Sequence, residues 1–193
     1  MKNNLVVFEG IDGVGKSTTA RLLQKTLLAK GFSAICFEDW EDNAGGFNTI
    51  KPFIKKDVPL ESSLFFYIAS SIYKTILITE LLKKQWVICD RYIYSTIAYH
   101  IAKGIKQDII PDIEKLPVLI PDYYFLLKTD EATRIERLQS RPNTTTEDLM
   151  PKSEGSFFDL MERSFELYNP KIIDNSKTDI DGTIKQVLKI IGV

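Results

Sequence analysis

The stretch VVFEGIDGVGKSTTA, residues 6–20, passes from an apolar run through glycines at 10, 13 and 15 into a segment with helical spacing. Gly10, Gly15, Lys16 and Ser17 satisfy the pattern G-x-x-x-x-G-K-[ST] between a strand and a helix. Glycines let backbone N–H groups turn inward around a phosphate, and the N-terminus of the following helix adds its dipole. Gly13, Val14 and Thr18 complete the loop expected to wrap ATP. Lys16 is expected to neutralise the β- and γ-phosphates, and Ser17 to ligate Mg²⁺. Asp12 is out of place here, because an anion-binding loop has little use for a carboxylate.

Outward from this loop, short apolar runs alternate with helical patterns. LVVFEG, SAICFE, QWVICD, DYYFLLKT and KIIDN are rich in β-branched and aromatic residues and apolar almost throughout, as parallel strands covered on both faces read. Segments 16–30, 59–83, 92–104, 130–140, 156–169 and 179–191 carry helical spacing. The alternation predicts an α/β fold of three layers, a five-stranded parallel sheet with helices on both faces and ligand sites at the carboxyl ends of the strands. The polar, aperiodic segment SRPNTTTEDLMPKSEG, residues 140–155, reads as a surface loop.

Composition narrows the classes. The 193 residues suit one domain, 1–193, with a single core. A net charge of −1 and one histidine argue against binding nucleic acid, which favours a basic excess. No N-terminal leader pattern and no uninterrupted apolar run of about 18 residues is present, so no membrane partner is expected. Cys36 and Cys89 lack metal-ligand spacing and read as free thiols in a reducing cytoplasm.

A second constellation, DRYIYSTIAYH at residues 90–100, follows the apolar run QWVIC. Asp90, at a strand end, can hold Mg²⁺ or its water together with Ser17. Arg91 suits a second anion, because a planar guanidinium can bridge two phosphates. The base-reading tetrapeptide N-K-x-D of GTPases does not occur. These features favour a small-molecule kinase.

FEGIDGVGKST, DRYIYSTIAYH, PDYYFLLKTDEATRIERL and IIDNSKTDIDGTIKQVL together resemble thymidylate kinases, nucleoside monophosphate kinases that convert dTMP to dTDP with ATP and Mg²⁺. The resemblance runs over residues 4–190. It implies the P-loop kinase fold with a short lid at about 140–155, a cytoplasmic homodimer, and nucleotides as partners. It also gives Asp12 a purpose, as the carboxylate that hydrogen-bonds the acceptor's sugar hydroxyl, with Glu9 turned to the same side. By the same resemblance Phe66 stacks on the base, Thr96 meets the pyrimidine, and Tyr99 packs on the sugar and excludes a 2′-hydroxyl. Phe65 reads as core. Lys152, with Arg141 beside it, brings catalytic charge from the lid to join Lys16 and Arg91, and Arg137 stacks on adenine.

The chain departs from the pattern at several points. The arginine that reads the base aligns with Ser70, and the glutamine after A-Y is His100. The R-E-P-G-G segment after the second strand becomes FEDWEDNAGG, with Glu38 retained, which leaves Lys51, Lys55 and Lys56 as candidates to grip the acceptor phosphate. Three other readings follow: a deoxynucleoside kinase using a carboxylate of Glu38-Asp39-Trp40 as base, a kinase for another pyrimidine monophosphate, and a nucleotide-binding module without turnover.

Overall fold

Hydrophobic runs of four to six residues become the strands β1 (Leu5–Glu9), β2 (Ala34–Phe37), β3 (Trp86–Asp90), β4 (Tyr123–Lys128) and β5 (Lys171–Asp174). In this computed structural model the described residues are 3–37, 47–54, 58–142, 144–146, 148–176 and 178–193, without the side chains of residues 47–49 and 51. All four strand pairings are parallel, in the order β2-β3-β1-β4-β5. Every residue of β1 and β3 is buried, as strands covered on both faces require. β5 departs from that expectation. It is an edge strand that buries only Ile173, while Ile172 remains half-exposed.

The connecting helices are α1 (Lys16–Ala29), α2 (Phe47–Ile54), α3 (Leu60–Leu82), α4 (Ile93–Ala102), α5 (Glu131–Gln139), α6 (Phe157–Glu166) and α7 (Ile180–Ile191). α1 turns Ala20, Leu23 and Leu27 toward the sheet, one face at helical spacing. Asp130, Ser156 and Asp179 cap α5, α6 and α7 by accepting from Thr133, Asp159 and Gly182 N–H, each worth about 1 kcal/mol. The sequence pattern misses α2, which contains Pro52 and follows a Gly-Gly pair. It also misses two short 3₁₀ turns at Gln107–Ile109 and Ile113–Lys115.

α3 is long and apolar enough to cross a membrane by length and composition. Here it packs against β3 and α4 and buries Leu64, Ile68 and Ile78. Burial pushes the Cys89 thiol up to about 11. The register pairs Phe8 with Asp90, so the carboxyl ends of β1 and β3 lie side by side at the sheet's centre. From β1 the chain leaves toward β2, and from β3 it crosses toward β4, which makes this junction the place for a ligand.

Candidate active site

The loop between β1 and α1 is held open by glycines. Gly10 has φ 142°, and a Cβ there would lie 2.6 Å from the Leu127 carbonyl oxygen; at Gly13, with φ 91°, it would lie 2.8 Å from that of Arg134. Side chains are therefore excluded from both positions. Gly15 stands at the start of α1 with no side chain to cap it, which leaves the first N–H groups of the helix for an anion. Val14 is clamped from outside, its carbonyl accepting from Asn175 Nδ2 at 2.7 Å and Arg137 Nη1 at 3.4 Å. Thr18 is exposed on the first turn. Lys16 is buried and its Nζ donates to the Ile11 carbonyl at 2.9 Å, with Asp12 at 3.6 Å. Burial and the Arg91 charge push the Lys16 ammonium below its ordinary value.

Across the strand junction, Ser17 Oγ donates to Asp90 Oδ2 at 2.5 Å. Asp90 Oδ1 is buried with no hydrogen-bond partner among the described residues. A buried carboxylate oxygen left unpaired costs free energy until a donor or cation reaches it. That orphaned oxygen beside a serine hydroxyl fits Mg²⁺, which takes one or two protein oxygens and completes its shell with phosphates and water. No cluster of three or more His, Cys, Asp or Glu side chains that could hold a metal occurs among the described residues.

Arg91 follows Asp90 with φ 70°, a left-handed conformation that is strained for a non-glycine residue. Its guanidinium donates to Asp12 Oδ1 at 2.6 Å and Ser95 Oγ at 3.0 Å. Burial works to raise the half-exposed Asp12 carboxyl, but Arg91 and Lys16 hold it well below the usual carboxylate range. Glu9 lies beneath this pair, fully buried and off the cleft wall, in contrast to its expected orientation toward the acceptor. It accepts from the N–H groups of Tyr92 (2.7 Å) and Ser95 (3.1 Å) and from the Ser95 hydroxyl, pinning the entry to α4. Desolvation raises its pKa despite these donors and Arg91.

A cleft of about 1030 Å³ opens beside Arg91, and Asp12, Thr96 and Tyr99 line it. α3 contributes Ser63, Tyr67, Ser71 and Lys74, one stripe at helical spacing. This corrects two assignments. Phe66 and Ser70 do not line the cleft, because the helix turns them about 100° away, and Tyr67 and Ser71 stand in their place. Phe65 is not core but 54% exposed. His100 is buried on the cleft wall, its Nδ1 2.6 Å from the Thr96 carbonyl and its Nε2 3.1 Å from Ser63 Oγ. A carbonyl only accepts, so Nδ1 carries the proton and Nε2 accepts from Ser63. Burial lowers the His100 pKa, which favours this neutral form.

The segment after α5 contains neither helix nor strand among its described residues. Arg134, fully buried on α5, donates to the carbonyls of Asp148 (2.9 Å) and Met150 (2.7 Å), pairs with Glu131 and stacks on Phe158. It thereby fastens Asp148 and Met150 where they line the cleft. Lys152 is not on the cleft wall: its ammonium pairs with Glu162, and its N–H donates to Glu131 at 2.9 Å. Arg141 is exposed. Arg137 reaches the phosphate loop and also donates to Asn175 Oδ1 at 3.2 Å. The side chain of Lys51, and Glu38, Asp39, Trp40, Lys55 and Lys56 entirely, lie outside the described residues. Sequence reasoning missed Tyr67, Ser71, Lys74, Arg134 and Asn175. The α3 stripe was visible as spacing, whereas the clamps made by Arg134 and Asn175 had no local signal.

The chain matches the family model described as thymidylate kinase over residues 8–187. It is similar to a probable thymidylate kinase of Methanocaldococcus jannaschii, 32% identical over 188 residues that cover 96% of this chain and 94% of the relative. A thymidylate kinase of Brachyspira hyodysenteriae is 31% identical over 143 residues, covering 73% of this chain and 70% of the relative. Among solved structures, thymidylate kinase from Candida albicans superimposes with a TM-score of 0.72 at 20% identity, covering 99% of this chain and 92% of that one. Thymidylate kinase from Ehrlichia chaffeensis gives 0.66 at 26% identity, with 99% and 100% covered. The five-stranded parallel sheet is that of the P-loop kinases.

Proposed function

The chain belongs to the thymidylate kinase family, and from that premise we propose that it transfers the γ-phosphoryl group of ATP to dTMP, yielding ADP and dTDP. The observation that carries this reading is the position of Arg91, whose guanidinium stands between the phosphate loop and the cleft and touches Asp12 of the loop. Lys16 and the N–H groups at the start of α1 hold the donor phosphates. Mg²⁺, held by Ser17 and Asp90, would neutralise charge that develops on them. The acceptor phosphate is already an anion at neutral pH and needs no general base, so the protein contributes alignment and fixed charge. Asp12 accepts a sugar hydroxyl, Tyr99 packs beside C2′, and Tyr67 and Thr96 face the base. Arg137, which donates to the Val14 carbonyl of the loop, stacks on adenine. Lys152 reaches the phosphoryl by leaving Glu162.

The enzyme acts in the cytoplasm on free nucleotides. A homodimer is supported by exposed apolar residues on one side of α3, Phe65 and Ile76 at 54% and 59%. Light scattering after gel filtration checks the dimer. The activity is tested by ADP release with a panel of nucleosides and nucleoside monophosphates. dTMP is expected to give the highest kcat/KM, and preference for an unphosphorylated nucleoside would overturn the reading.

A further inference from the structure

Lys74 sits in the interior of α3 with only 7% of its surface exposed, and it lines the cleft. Its ammonium donates to the Arg91 carbonyl at 3.0 Å and lies 5.1 Å from the centre of the Phe37 ring. Phe37 ends β2 and Arg91 directly follows β3, so Lys74 occupies the carboxyl end of the sheet between these two strands. Lys16 and Arg91 share Asp12, Arg134 has Glu131, and Lys152 has Glu162, while Arg137 donates to the neutral Val14 carbonyl and Asn175, and Lys103, also on the cleft wall, is exposed against the Tyr99 and Phe157 rings. Lys74 has no carboxylate within salt-bridge distance among the described residues.

A buried ammonium with three donors, one carbonyl and a ring face is poorly compensated, since neutral acceptors do not offset the loss of hydration of a full charge. A base carbonyl would add another neutral acceptor, whereas a phosphate dianion would neutralise the charge. Lysine binds phosphate as a point charge without needing a planar fork. Arg91 already pairs with Asp12, so a phosphate arriving at this end of the sheet gains from the buried ammonium that has no carboxylate partner among the described residues.

We propose that Lys74 receives the 5′-phosphate of the acceptor nucleotide beside Arg91, taking the place for which the segment after β2 offers no arginine. The assignment rests on the monophosphate kinase reading above and adds to it a residue that fixes the acceptor's phosphorylated end. A rival role is structural: the same ammonium could serve only to support the left-handed turn at Arg91.

Lys74→Met separates the two, because methionine keeps the length of the chain and removes the charge. If Lys74 receives phosphate, Lys74→Met weakens equilibrium binding of dTMP at least tenfold, leaves binding of thymidine and the KM for ATP within twofold, and does not lower the melting temperature of the unliganded protein. Lys74→Arg then restores dTMP binding in part. Equal loss of dTMP and thymidine binding, a lowered melting temperature with dTMP binding intact, or unchanged dTMP binding each overturns the assignment. Should Lys74→Met fail to fold, Lys74→Gln gives the same readout with a side chain that can still donate to the Arg91 carbonyl. Wild-type protein that neither binds nor phosphorylates dTMP would instead defeat the proposed function, so the two failures are distinct.

Discussion

At the donor end of the site the ligand-facing groups come from one stretch of backbone between Gly10 and Ser17, while the acceptor end is assembled from side chains on α3, α4, the phosphate loop and the segment after α5. The donor end is incomplete as it stands. Lys16 has the Ile11 carbonyl and a share of Asp12, and Asp90 Oδ1 has no partner among the described residues. At the acceptor end, Arg91 is already neutralised by Asp12. An anion at the donor end meets a buried ammonium and the uncapped N–H groups that open α1. A ligand at the acceptor end must compete with Asp12 for Arg91, while Lys74 beside it stands without a carboxylate partner among the described residues. The first arrangement favours affinity for any nucleoside triphosphate, and the second favours discrimination, because only a ligand that rewards Asp12 and Arg91 separately can part them profitably.

The largest effect is expected at the donor phosphates. Lys16→Ala should lower kcat on the order of 10³-fold, the scale on which fixed cations act on a transferring phosphoryl group, with the circular dichroism spectrum unchanged. Activity within tenfold of wild type would mean that donor phosphates are held elsewhere. At the acceptor end, Arg91→Lys keeps the charge but loses the fork that meets Asp12 and Ser95, and kcat/KM for dTMP should fall about a hundredfold through lost alignment. A drop confined to the KM for ATP would assign Arg91 to the donor end and break the contrast.

The rotation of α3 gives an effect of middle size. Tyr67→Leu should raise the KM for dTMP about tenfold, in line with roughly 1–3 kcal/mol for stacking of a base on an aromatic ring, and Phe66→Leu should leave it within twofold. The opposite ranking would return Phe66 to the base.

The two ends were legible in the sequence to very different degrees, and the physical reason is locality. Backbone conformation at Gly10, Gly13 and Gly15 is dictated by the residues themselves, so the phosphate loop and the strands beside it could be read from short contiguous runs. Ser17 and Asp90 meet because the register sets Phe8 opposite Asp90, and two strand-end motifs suffice to anticipate that. The acceptor wall depends on how a 23-residue helix is rotated about its axis. A family motif leaves that rotation open by one residue, which is the difference between the pair Phe66 and Ser70 and the pair Tyr67 and Ser71. Glu9 reads as a ligand group until Tyr92 and Ser95 are seen to consume its oxygens. Lys152 likewise reads as a lid cation until Glu162 is seen beside it, 10 residues on. Lys74 carries no motif, and only its burial against Arg91 marks it.

The smallest effect tests the internal pair itself. Arg91 and Lys16 keep Asp12 charged in the folded protein below the ordinary aspartate value of 3.8, so its contribution to stability is present above that value and is lost as pH falls toward the lower folded value. Urea unfolding at about pH 5 and about pH 3 should show wild type losing more stability than Asp12→Asn over that interval. Equal losses would mean that the ion pair is not maintained in solution.

The central claim is that the cleft beside Arg91 accepts a phosphate rather than a sugar hydroxyl as nucleophile. The most direct test is one competition: the protein with ATP radiolabelled at the γ-phosphate, Mg²⁺, and equal concentrations of dTMP and thymidine, with the labelled products separated by chromatography. The account predicts label in dTDP with none entering dTMP, whereas label appearing first in dTMP, from thymidine, would contradict it.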